Sequence, residues 1–209
     1  MDKRESNYIK LVAVITMLID HIGAFIYPFA ILRIIGRIAF PLFAYQLTVG
    51  YQKTSSRKKY LNRLFFFAVI SQIPYYFIYA SIGKTVFLNI LFSLMLGIFT
   101  ISVFEKKKFI NLFLIIPASF FVEYGFYGLL TILIFYFFKK REEKIVLFSL
   151  ATFSYAFIYQ LFIQIYALFS LFFIFGPKIK INLPRYFFYI FYPVHLIVLY
   201  IIKIIFFNF

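Results

Sequence analysis

The chain contains no cysteine, which excludes disulfides, thiolate metal sites and a cysteine acyl-enzyme and leaves the redox compartment undetermined. Negative charge is scarce too: 7 acidic residues stand against 22 lysines and arginines, a net charge of +15, and there are only two histidines. Polar surface is short overall. With 64% apolar residues and a mean hydropathy of +0.94, 209 residues cannot coat a soluble globule, so the composition implies a polytopic membrane protein. No small-residue cleavage site follows the charged opening from Met1 to Lys10, and the first apolar segment is expected to be a signal anchor. Neither an internal repeat nor a soluble domain is visible, so residues 1–209 read as a single integral-membrane domain.

Basic clusters punctuate the apolar runs and divide the chain into segments at 9–28, 34–51, 60–80, 85–104, 109–123, 125–138, 145–160, 161–176 and 187–207. The expected fold is an all-α helical membrane bundle of about nine spans with a cytoplasmic amino terminus. That orientation places 18 of the 22 basic residues inside, the last three being Lys178, Lys180 and Arg185, and leaves Arg33, Arg37, Lys84 and Lys203. Basic inner loops facing anionic lipid account for the net charge, so nucleic-acid binding is a poor reading. The four segments between 109 and 176 would reach only about 21 to 24 Å, against a hydrocarbon core of about 30 Å. Merging them pairwise would give seven spans but expose the basic loop Lys139 to Lys144. Two short hairpins are therefore expected, with outer turns near Glu123 to Gly128 and Gln160 to Gln164.

The polar residues inside these segments fall at one depth. Asp20 and His21 interrupt the first apolar run, where ionisable groups cost several kcal/mol and mark sites of binding, proton relay or chemistry. Arg33 and Arg37 follow at i, i+4 spacing, with Gly36 between them permitting close backbone approach. With Glu123 and His195, these residues imply a polar cavity open to the extracytoplasmic side. Adjacent helical residues point about 100° apart, so Asp20 and His21 each need a partner on another helix. Asp20 is best matched to Arg33 or Arg37. His21 is then a candidate general base, its tautomer fixed by Glu123 or a main-chain carbonyl. Gln72, Asn89, Gln160 and Gln164 read as interhelical hydrogen-bonding residues. A metal site has no HxxxH or HExxH spacing to support it, and none is predicted.

Lys10-Leu11-x-Ala13, Met17-x-x-Asp20-His21-x-Gly23 and Leu32-Arg33-x-Ile35-Gly36-Arg37-x-Ala39-Phe40-Pro41-Leu42-Phe43-Ala44-Tyr45 resemble the TraX family of conjugal-transfer membrane proteins. Ser71-Gln72-Ile73-Pro74-Tyr75, Glu123-Tyr124-Gly125-x-x-Gly128 and Phe191-Tyr192-Pro193-x-His195-Leu196 continue that resemblance in order over nearly the whole chain. Glu123 stands where the family leads one to expect Asp. The resemblance implies a bacterial cell-membrane acetyltransferase that acetylates the amino terminus of a pilin-like subunit, taking its acetyl group from cytoplasmic acetyl-CoA as co-substrate. Acyl transfer needs a base for the acceptor proton and donors for the tetrahedral oxyanion. His21 or His195 can be the base and Arg37 or Arg33 the donor, while Arg57, Lys58, Lys59 and Arg63 offer cytoplasmic cations to the CoA phosphates. The alternative is a proton-coupled secondary transporter or permease, whose usual repeated halves the sequence lacks. A passive assembly scaffold would leave the ionisable cluster without a purpose.

Overall fold

A computed structural model describes residues 2–84, 87–184 and 186–207, so Arg185 of the inner basic cluster lies outside the described residues. Among them the chain is helical: α1 (Lys3–Phe25), α2 (Ala30–Gly36), α3 (Ala39–Lys53), α4 (Arg57–Ala80), α5 (Ile90–Glu105), α6 (Leu112–Ser119), α7 (Gly125–Phe137), α8 (Arg141–Ile158), α9 (Ser170–Phe175) and α10 (Phe187–Phe207). Short 3-10 turns precede α6 (Phe109–Asn111) and α9 (Phe162–Phe169).

Local chemistry sets the boundaries. Asp2 caps α1, and Glu5 reaches back to the Asp2 amide at 2.8 Å to complete a capping box. Ser56 caps α4 and Asn89 caps α5. Asn89 is fully buried and also ties α5 to α4, its Nδ2 donating to the Ala68 carbonyl and to Gln72 Oε1, both at 2.8 Å. Gln72 and Asn89 thus join helices as their types suggested. Gln160 donates within its own turn, to the Phe157 carbonyl.

Four helical stretches among the described residues are long and apolar enough to cross a membrane: Lys3–Phe25, Ala30–Lys53, Arg57–Ala80 and Phe187–Phe206. The second combines α2 and α3, which meet at a break around Arg37 and Ile38. The apolar helical stretches Ile90–Glu105, Phe109–Ser119, Gly125–Phe137 and Phe162–Phe175 are shorter. Residues 109–138 do not merge into one long helix, because Tyr124 and Gly125 take positive φ between α6 and α7. Gln160, also at positive φ, divides α8 from the 3-10 turn that follows. Large apolar side chains face outward, as a lipid-bathed surface requires. On α4, Phe65, Phe66, Val69, Ile73 and Tyr76 are exposed, while Leu64, Ala68, Ser71, Tyr75 and Ile78 are buried.

In the bundle α3 packs against α1, α5, α7 and α9, and α10 lies against α4 and α1. Gly97 lets α5 approach α7 closely, since a Cβ there would overlap Ile132. At the end carrying Lys3, Glu105 fastens four helices: Arg57 donates to it at 2.7 and 3.2 Å, Tyr51 at 3.2 Å, and Tyr136 as well. Burial alone would raise the Glu105 carboxyl pKa, but the bonds from Tyr136 and Arg57 outweigh it and hold the group below the usual carboxylate range.

Candidate active site

At the other end of the bundle, the turn through Tyr27, Pro28 and Phe29 folds α2 back against α1. Two glycines allow the close approach. A Cβ on Gly23 would stand 2.6 Å from Leu32 Cβ, and one on Gly36 would fall within the Asp20 side chain. Asp20 is thereby brought against both arginines at once. Arg33 Nη1 donates to Asp20 Oδ2 at 2.6 Å and to the Asp20 carbonyl at 3.0 Å; Arg37 Nη2 donates to Oδ1 at 2.5 Å, and its Nε to the Arg33 carbonyl at 3.2 Å. The Asp20 and Arg37 side chains are only 13% and 12% exposed, so this pair is desolvated, whereas Arg33 at 31% keeps contact with solvent. The cluster carries a net positive charge, and both arginines line a common cavity.

His21, next along α1, turns away from this cluster toward α10. Its Nδ1 lies 2.7 Å from His195 Nε2, and His195 Nδ1 lies 2.9 Å from the Phe191 carbonyl. The order of protons follows from the last acceptor. A carbonyl only accepts, so His195 carries its proton on Nδ1, and its Nε2 accepts from His21 Nδ1–H when both rings are neutral. That leaves His21 Nε2 as the basic nitrogen. The two ring planes are nearly parallel, 1° apart, with centroids separated by 5.0 Å. The tautomer-fixing partner of His21 is therefore His195, not Glu123 or a carbonyl directly; the carbonyl acts one step further back. His21 lines the cavity and His195 does not.

The cavity has a volume of about 560 Å3. Asp20, His21, Arg33, Arg37, Glu123 and Gln164 all line it, as do the two turns that separate the short helices. Glu123 is held apart from the histidines: Tyr75 and Tyr79 donate to its Oε1 at 2.9 and 3.1 Å, and Ser93 donates to its carbonyl at 2.7 Å. Gln164 Nε2 reaches the Tyr127 hydroxyl at 3.4 Å. Of the four cations expected to meet the CoA phosphates, Arg57 is engaged with Glu105 and the Tyr51 ring, Lys58 and Lys59 are exposed, and Arg63 lines a separate cleft.

Such an arrangement suits chemistry on an acyl group: a base with a fixed tautomer on a cavity that fixed cationic hydrogen-bond donors also line. The TraX protein family profile matches residues 5–203. The chain belongs to the TraX family. It is 26% identical over 227 aligned residues to the probable fimbrial assembly protein FimC, serogroup H1, of Dichelobacter nodosus, covering 91% of this chain and 92% of that protein. It is also 39% identical over 99 residues to an uncharacterized protein of Rickettsia prowazekii (strain Madrid E), covering 46% of this chain and 37% of that one. No solved structure matches.

In this TraX-family chain, six tyrosines also line the cavity: Tyr75, Tyr124 and Tyr192, which stand in the motifs quoted above, and Tyr79, Tyr155 and Tyr159, which those motifs do not include. Tyr124 stacks on Phe40 with centroids 3.9 Å apart, which orients the turn carrying Glu123. Among 18 tyrosines a local signal is the i, i+4 spacing of Tyr75 with Tyr79 and of Tyr155 with Tyr159, each pair one turn apart on a single helix face.

Proposed function

We propose that this chain is a membrane-bound acyltransferase that moves an acetyl group from cytoplasmic acetyl-CoA to an extracytoplasmic amine, the amino terminus of a pilin-like protein. The observation that carries this reading is the directed chain from the Phe191 carbonyl through His195 to His21, ending at a basic nitrogen on a cavity that also holds two fixed guanidinium groups. Family membership and a relative named for fimbrial assembly support the choice of acceptor. The positive-inside distribution supports a bacterial cell-membrane protein of about nine spans, with this cavity facing outward.

In the proposed reaction, the acceptor amine attacks the thioester carbonyl carbon, and a C–N bond forms as His21 Nε2 takes a proton from nitrogen. The oxyanion collects hydrogen bonds from guanidinium protons of Arg37 or Arg33 not committed to Asp20. Collapse breaks the C–S bond, and the thiolate recovers the proton from the imidazolium, so amide and free CoA leave and the base is restored. His195 supports the transient cation by accepting the Nδ1 proton, and it passes no proton of its own.

The test is to reconstitute the purified chain in vesicles with labelled acetyl-CoA on the cytoplasmic side and a pilin-type amino-terminal peptide on the other. Equimolar acetyl-peptide and CoA are expected. Product formed only when both substrates share one side would reject the transmembrane arrangement, and proton or solute uptake without acetylated product would replace this reading with that of a transporter.

A further inference from the structure

A second cavity, of about 350 Å3, opens at the Lys3 end of the bundle. The first half of α1, the second half of α3 and the beginnings of α4 and α10 wall it, so it lies on the face opposite the histidines. Its size falls within the range of about 300 to 1,000 Å3 usual for small-molecule sites. Lys3, Lys10, Lys53 and Arg63 line it, and among the described residues no carboxylate does.

Two buried donors mark it as more than an ordinary basic surface. Gln46 is 6% exposed; its Oε1 accepts from Ser6 at 2.6 Å, but its Nε2 has no partner. Arg63 Nε is likewise buried without one, the guanidinium being held over the Tyr60 and Tyr189 rings at 5.5 and 5.1 Å. Buried donors normally find acceptors. Unmatched donors beside four cations call for a ligand rich in negative acceptors, and phosphate ester oxygens meet that need.

One more residue links this cleft to the reaction cavity. Phe43 lines both, and its ring packs against Phe188 with centroids 4.7 Å apart. Phe43 is thus a wall common to both cavities.

We infer that the cleft binds the phosphate-bearing head of the acyl donor, and that Phe43 is the partition past which the donor's thioester arm reaches His21. This rests on the acyl-transfer reading above and changes its cation set. Lys3, Lys10, Lys53 and Arg63 hold the phosphates, while Arg57 serves to fasten helix ends.

The test measures binding of CoA, which carries no acetyl group, by titration calorimetry on the full chain in a non-ionic detergent. Lys10→Gln and Arg63→Gln should each weaken binding about tenfold to a hundredfold, the weight of a charge-assisted hydrogen bond. Gln46→Glu, which keeps the acceptor for Ser6 but adds a negative charge, should weaken it by at least about tenfold. Lys108→Gln and Lys139→Gln, exposed positions lining neither cavity, should change it by less than about twofold. Phe43→Trp should lower turnover by more than it weakens CoA binding, with an unchanged circular-dichroism melt to report a folded variant. Where Trp does not fold, Phe43→Leu should raise acetyl-CoA consumption; unchanged rates in these variants overturn the partition. CoA binding that weakens as stated, in a chain that transfers no acetyl group, would remove the acyl-transfer reading and leave the site standing. Acetyl transfer whose Michaelis constant for acetyl-CoA is unmoved by the Lys10, Gln46 and Arg63 substitutions overturns the site. So does a cleft that takes phosphatidylglycerol in nanodiscs, or inorganic phosphate alone, but no CoA.

Discussion

Replacing Asp20 by Asn removes the carboxylate that two guanidinium groups share while keeping the side chain's shape. The two pairs should not weigh equally. Arg37 is nearly as enclosed as Asp20, at 12% against 13% side-chain exposure, while Arg33 at 31% can turn toward water. Stranding a buried partner costs about 3 to 5 kcal/mol, and an exposed pair about 0 to 1, so nearly all of the loss is assigned to Arg37. For a chain of this size about 1 kcal/mol corresponds to roughly 2 to 4 °C in melting temperature, so Asp20→Asn should melt roughly 6 to 20 °C lower in detergent. The double variant Asp20→Asn with Arg37→Gln should recover most of that loss, and Asp20→Asn with Arg33→Gln little of it. Thermal unfolding of all the single and double variants, followed by circular dichroism, measures both couplings. Coupling below about 0.5 kcal/mol for Asp20 and Arg37, the level expected of independent sites, would refute a shared desolvated ion cluster, as would a larger coupling to Arg33.

The histidines should separate by role: His21→Ala lowers acetyl transfer by about 10² to 10⁴, the weight of a general base, with the melting temperature little changed. His195→Ala lowers it less, because it removes orientation and not the base, and equal losses in the two variants would contradict the assigned proton order. Gly36→Ala places a methyl group within the Asp20 side chain and should destabilise by at least about 1 to 3 kcal/mol; denaturation with no shift would show that α1 and α2 lie farther apart. Because the chain has no cysteine, Lys84→Cys and Lys108→Cys report sidedness directly. An impermeant thiol reagent applied to intact cells should label position 84 and spare 108, and the reverse pattern would invert the bundle.

Fold class was legible from composition and pattern, because continuous apolar runs, unlike the alternating strands of a closed barrel, satisfy their backbone in a membrane as helices that bond within each segment. The need for a counter-ion at Asp20 was equally local, since an ion in an apolar run cannot remain unpaired at tolerable cost. Spacing then confined the partner to Arg33 or Arg37. That both hold it depended on the approach of α2 to α1 over Gly23 and Gly36, a distance that one-dimensional pattern does not contain. The histidine pair lay further out of reach. His21 and His195 are 174 positions apart, and whether two rings meet or miss is set by where α1 crosses α10. Glu123 could be placed at the right depth from its position in a turn, but its tyrosine partners, and hence its separation from the histidines, came only with the packing of α4 against that turn. Sequence by itself determined which groups had to be buried and therefore paired, through the free energy of taking charge out of water; tertiary structure decided which pairs formed, because hydrogen bonds are directional and short while the chain segments that supply them are far apart.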